Sequence, residues 1–291
     1  MQKIYWIIAL IGLFVLGDRL GGFVLAKIVE QSEFRYSRLY TNRGACDILL
    51  VGNSRGLSFF QPYIEETSGK NTLNLSYNGM PVDLATVLIE DYFENYPAPK
   101  KLILDITLCD RFNPELIAGF NFYNRYSPNL SQLLTKTNPR NAYAGQLSHL
   151  FQYNSEVFQR ALYYRTKTDK DWLLDRQITP ELIQKVENEE YEFIIKYPPE
   201  TPDLLGELVT KVQEKGTEVV LVINPYFPLF VERMTNLQDL KVEVEKATGL
   251  KVHDYSTAIQ GKAKFGDLQH LNKKGSYEYI QLLQEEGWLA D

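Results

Sequence analysis

Apolar residues in this chain follow two spacings. Five short runs are continuous, rich in β-branched residues and bounded by turn residues, at 47–51, 72–75, 102–106, 218–223 and 251–254. Each predicts a strand. Between them the spacing becomes helical. Over 82–96 the apolar positions include Leu84, Val87, Leu88 and Tyr92, and Pro97 and Pro99 end the pattern. Over 202–215 Leu204, Leu205, Leu208, Val209 and Val212 share a face; Thr201 suits the N-cap, Pro202 the first helical position and Gly216 the stop. Residues 228–248 and 273–286 predict two further helices. Strands that are apolar throughout and alternate with helices imply a parallel sheet covered on both faces.

The rhythm breaks once. About 110 residues separate the third run from the fourth, where one crossover helix needs far fewer. Residues 107–200 are therefore expected to form a helical insertion. Its many aromatics include Phe112, Phe120, Phe122, Tyr123, Tyr126, Tyr143, Phe151, Trp172, Tyr191 and Phe193. They suit packing within a helical cap, or a surface that stacks on sugar rings or docks a membrane partner.

The N-terminus is apolar in a different way. Ile4 to Leu16 carry no charge, Asp18 and Arg19 interrupt, and 20–28 is again mostly apolar. The first run alone resembles a signal-peptide core; extended to about residue 26 it has the length of a membrane span. An uncleaved signal anchor over 1–28 is the preferred reading, since no small-x-small cleavage site follows cleanly. A cleaved signal peptide and a buried helix are the alternatives. The Asp18-Arg19 pair is tolerable near an interface or against a partner and costly facing lipid. Residues 29–45, with Arg35, Tyr36, Arg38, Tyr40 and Arg43, are expected to connect the anchor to a domain at 46–291.

Composition narrows the function. A net charge of −6 and the lack of a dense basic patch argue against nucleic-acid binding. The two cysteines, Cys46 and Cys109, flank different strands; if those strands are parallel neighbours, the thiols lie at opposite ends of the sheet, too far apart to bridge. No Cys/His cluster suggests a metal, and no Gly-rich phosphate loop or other cofactor motif is present.

The candidate chemistry lies in three segments. Gly52-Asn53-Ser54-Arg55-Gly56 follows the first strand, Asn78-Gly79 follows the second, and Asp267-Leu268-Gln269-His270-Leu271-Asn272 precedes the last helix. All three belong at the carboxyl edge of the sheet, where open α/β sheets bind ligands. Ser54, His270 and Asp267 would then make a nucleophile, its base and the acid that orients the base. Taken singly, Ser54 is a potential helix cap, Gly79 a turn glycine and Asp267 a cap of the last helix. Arg55 either binds an anionic group or faces solvent. His253, inside the fifth strand, is expected to be structural, and His149 has no assigned role.

These residues resemble the blocks of the SGNH, or GDSL-like, hydrolase superfamily: Ser54 in a Gly-Asn-Ser turn, Gly79 in the second block, and Asp267-x-x-His270 continued by Leu271-Asn272-x-x-Gly275. The resemblance covers about 46–288 apart from the insertion. It implies a three-layer, flavodoxin-like α/β fold of about five parallel strands. It also implies a serine esterase or O-acyltransferase without a cofactor, acting on acyl esters, acetyl above all, of cell-envelope carbohydrate. Ser54, His270 and Asp267 would be catalytic; Gly79, Asn78 and Arg55 would serve the oxyanion or substrate. The third block departs: an asparagine is usual soon after the third strand, and here none occurs before Asn113. Thr107 and Asn113 are candidate substitutes. Similar anchored proteins act with membrane-bound O-acyltransferases, which implies such a partner, a place in the cytoplasmic membrane and a catalytic domain outside the cytoplasm. The alternative is a catalytically weak SGNH-like module that binds polysaccharide or such an acyltransferase.

Overall fold

A computed structural model describes residues 2–110, 112–167, 173–188 and 192–290, with the side chains of 2, 109 and 110 outside that description. Trp172, Tyr191 and the Cys109 thiol, all weighed from the sequence, therefore lie outside the described residues.

The chain forms two compact units. The larger, residues 45–89, 96–112 and 170–291, is an α/β unit around five parallel strands. They are β1 (Ile48–Val51), β2 (Thr72–Asn74), β3 (Lys101–Asp105), β4 (Glu218–Ile223) and β5 (Val252–Asp254), in the order β2-β1-β3-β4-β5. Each lies within a residue or two of its predicted bounds. In register, Leu49 pairs with Leu73 and with Leu102, Leu102 with Val219, and Leu221 with Val252. Alternation along the strands explains why every position is apolar. Ile48, Leu50, Ile103, Val220 and Val222 share a core with Ile64, Tyr279, Ile280 and Leu283, which come from helices Gln61–Ser68 and Lys273–Glu285. Leu49, Val51, Leu102, Leu104 and Leu221 point the other way and are fully buried. On β4 and β5 helices Thr201–Glu214 and Leu237–Thr248 pack together, close enough that a Cβ on Gly206 would lie 2.6 Å from the Ala247 carbonyl.

Two helical expectations change. Helix Gln61–Ser68 was not anticipated; it buries only Gln61 and Ile64, too few positions to set a period. The helix expected over 228–248 is two, Pro228–Val231 and Leu237–Thr248. Phe193 pairs with Met234, exchanging bonds with the Arg233 carbonyl and the Thr235 N–H, and so draws 233–235 out of helical form.

The smaller unit comprises 1–44, 90–95 and 113–169. The stretch expected as an insertion at 107–200 thus contributes to both units. The unit opens with α1 (Gln2–Glu30), whose segment Lys3–Glu30 is long and apolar enough to cross a membrane. The expected connector supplies core: Phe34, Tyr36 and Leu39 are fully buried, and Tyr36 meets Phe120 edge-on at 4.7 Å. Asp91, from the 90–95 stretch of the same unit, accepts from Tyr40 and Ser127 at 2.6 and 2.8 Å.

Candidate active site

The turn after β1 places Ser54 by its own chemistry. Asn53, not Ser54, caps the short 3₁₀ turn Ser54–Ser58, accepting from the Arg55 N–H at 3.0 Å and donating to the Thr107 carbonyl at 2.9 Å. This leaves the Ser54 hydroxyl available. Gly56 follows because the backbone passes against Ser76: a Cβ there would sit 2.2 Å from Ser76 Oγ.

The segment 267–272, which carries His270, is pinned on several sides. Asn272 caps the last helix, accepting from Lys274 and Gly275 N–H, and its amide donates to the Ala263 and Arg176 carbonyls. Gly266 N–H donates to the His270 carbonyl at 2.9 Å, and Phe227 N–H to that of Leu268 at 3.0 Å. Asp267 is therefore not needed as a cap and turns inward.

The three groups form a continuous series. His270 Nε2 is 2.8 Å from Ser54 Oγ, and His270 Nδ1 is 2.8 Å from Asp267 Oδ1. An ionised carboxylate only accepts, so it places the ring proton on Nδ1 and leaves the Nε2 lone pair facing the serine hydroxyl. Asp267 is ionised here. Burial acts to raise its carboxyl, but the His270 hydrogen bond and charge, the Gln269 N–H and Arg176 outweigh it and hold the group down at about 2. His270 and Asp267 are each about three-quarters buried, so part of each remains open to solvent.

Arg176 is the participant the sequence did not disclose. Its Nη2 donates to Asp267 Oδ2 at 3.0 Å, opposite the oxygen that holds His270. It arrives because Leu174 pairs with Asn272, the Lys273 N–H donates to the Leu174 carbonyl, and Ile178 N–H donates to that of Phe265. Nothing periodic marks 173–179, so only the pairing reveals the contact.

The other predicted residues are placed less directly. Gly79 has φ +68°, as a turn glycine must, and Asn78 beside it is exposed. The Tyr77 N–H donates to the Gly52 carbonyl at 3.3 Å, which ties the Gly79 turn to the serine turn. Arg55 does not face solvent. It is buried, its Nη2 and Nε donate to Thr107 Oγ1 at 2.8 and 3.1 Å, and its guanidinium lies 4.6 Å from the Tyr226 ring centre. Thr107 Oγ1 donates in turn to Asp105 at 2.6 Å. Asn113 accepts from Leu116 N–H as a helix cap. Behind them Asn224, directly after β4, donates to Asp105 at 3.0 Å and accepts from Tyr279 at 2.7 Å. An Asn-Pro at the end of a predicted strand was the available signal for Asn224.

His253 stands in β5 with its ring 4.3 Å from that of Trp288; burial lowers its basicity, helped by Lys251. Among the described residues no group of three or more His, Cys, Asp or Glu could hold a metal ion. The chain matches no protein-family model and no curated protein.

Proposed function

We propose that this protein is a membrane-anchored serine esterase or O-acyltransferase of SGNH type, acting outside the cytoplasm on acyl esters of envelope carbohydrate. One observation carries the reading: a serine, a histidine and an ionised aspartate in unbroken hydrogen-bond series at the carboxyl edge of a parallel sheet. The strand order is that of flavodoxin-like sheets, in which the edge between β1 and β3 is where ligands bind.

Ser54 Oγ attacks the acyl carbonyl as His270 Nε2 takes its proton. The carbonyl oxygen gathers negative charge, answered by the backbone N–H groups of Ser54 and Gly79 with Asn78 beside them. His270 then protonates the departing alkoxide. Water or a sugar hydroxyl, deprotonated by the same nitrogen, attacks the acyl-serine and frees Ser54. Arg176 and Asp267 take no part in bond making; they hold the imidazole ready for it.

The membrane reading rests on α1. From Asp18 onward one face of α1 (Asp18, Gly22, Ala26, Val29) is buried in the smaller unit, so cleavage near residue 28 would expose that unit's core. This favours a retained anchor over a cleaved signal peptide. The weak-module alternative draws on the third block, where Thr107 is committed to Asp105 and Arg55 rather than open to an oxyanion.

The test is hydrolysis of p-nitrophenyl acetate by the full chain in detergent beside Ser54→Ala. Turnover by the first and none by the second supports the reading. Equal rates in both contradict it.

A further inference from the structure

We propose that residues 143–151 form a membrane-interface contact that seats the smaller unit on the lipid surface beside α1. This rests on the anchor reading of α1.

Helix α1 changes character partway along. Residues 4–17 are exposed on every side, and burial begins at Asp18. At that level the segment 147–151 is docked on the helix. Asp18 Oδ1 accepts from Ser148 Oγ at 2.5 Å and from Leu150 N–H at 3.1 Å, and Oδ2 from His149 N–H at 2.8 Å. Arg19 donates to the Leu147 carbonyl at 3.3 Å, and the Tyr153 hydroxyl to that of Gly22 at 3.1 Å. Two glycines permit the approach: a Cβ on Gly21 or Gly22 would meet Leu150 at 2.9 Å or His149 at 2.4 Å. Asp18, costly in lipid if left bare, thus finds three donors within this chain, and Arg19 has the Leu147 carbonyl and the neighbouring Asp18 carboxylate.

The docked segment presents apolar side chains outward. Leu147 is 80% exposed and Tyr143, one turn earlier on the same helix face, 60%. Leu150 and Phe151 are exposed too, as are Leu20, Phe23 and Val24 of α1 around Gly21, which Leu150 approaches. Arg140, also exposed, precedes Tyr143 on that face. Aliphatic, then aromatic, then basic is the order that suits a membrane boundary.

Depth fits as well. A hydrocarbon layer of about 30 Å takes about 20 helical residues. Counted from Lys3, the layer ends close to Gly22, so the docked segment falls at its edge. Irregular backbone is tolerated at that depth only if its polar groups are satisfied internally. Its donors are: the N–H groups of 148 to 152 go in turn to Ala144 O, Asp18, Asp18, Ser148 Oγ and His149 O. Lipid is therefore the occupant the surface is built for.

Depth-dependent quenching tests this. The full chain, in a Trp6→Phe background whose remaining emission from Trp172 and Trp288 is measured and subtracted, is reconstituted in phosphatidylcholine bilayers brominated either near the headgroup or deep in the acyl chains. Three variants are compared: Leu147→Trp, Leu10→Trp within the span, and Tyr163→Trp. Tyr163 lies toward the far end of α1, where Ser32 donates to Ala161 O and Glu33 N–H to Tyr164 O. The expected result is loss of emission and a blue shift for Leu147→Trp with shallow bromines, loss for Leu10→Trp with deep bromines, and neither for Tyr163→Trp. Quenching of Leu10→Trp with Leu147→Trp no more affected than Tyr163→Trp overturns the proposal and keeps the anchor, leaving that face to water or a protein. If Leu10→Trp also escapes quenching, the anchor reading falls and the proposal falls with it.

Discussion

A serine hydroxyl gains reactivity only from its neighbours, and here each neighbour has a separable weight. Removing Ser54 removes the nucleophile, whereas Asp267→Asn leaves the geometry but allows the imidazole to take the wrong tautomer. The second change is expected to lower kcat by about 10³- to 10⁴-fold, measured on an activated ester. Arg176 contributes less. Its side chain is 65% exposed, and exposed ion pairs yield roughly 0–1 kcal/mol, so Arg176→Ala should cost at most about fivefold in rate. Acid stability follows from the same carboxyl. A carboxylate held at about 2 contributes stability above the unfolded-state value and loses it as pH falls through the folded one. Thermal unfolding of the wild type should therefore show about 2 kcal/mol more loss between roughly pH 5 and pH 2 than Asp267→Asn. Equal acid sensitivity in the two would refute the assignment of that depressed value to Asp267. Since Asp267 stays ionised well below neutrality, the acid limb of kcat/KM should titrate as a single proton.

At the scale of elements, what the sequence revealed and what it hid have physical reasons. The five strands were visible because a parallel strand buried on both faces must be apolar at every position, as Ile48–Val51 and Val219–Ile223 are. Ser54, His270 and Asp267 were visible because strand ends fix where loops emerge. Helix Gln61–Ser68 and the break before Leu237 were hidden because too few buried positions, or a distant pairing by Phe193, decide them. Arg176 was hidden for the same reason: Leu174 meets Asn272 across almost a hundred residues. The serine turn offers an element-scale test. Gly56→Ala drives a methyl into Ser76 and should cost about 1–3 kcal/mol in thermal unfolding, with activity falling as Ser54 shifts. Adding Ser76→Gly should restore much of both. Unchanged stability in the single variant would mean that the turn is looser than its contacts indicate.

For the whole molecule, an apolar helix and a serine constellation occupy different units of one chain. The full protein should stay with the membrane fraction through alkaline carbonate washing, and a chain lacking residues 1–28 should unfold more readily, because Ala26 and the Asp18 contacts leave with the helix. Release of the intact chain by carbonate would contradict the anchor. The central claim concerns the nucleophile, and covalent capture tests it without knowledge of the natural ester. An alkyl fluorophosphonate applied to the full chain in detergent should phosphonylate Ser54 as fluoride departs, and mass spectrometry should place the adduct on the peptide containing Gly52-Asn53-Ser54. Labelling should vanish in Ser54→Ala and fall sharply in His270→Ala. An adduct on another residue, or none on a folded protein, would contradict the account.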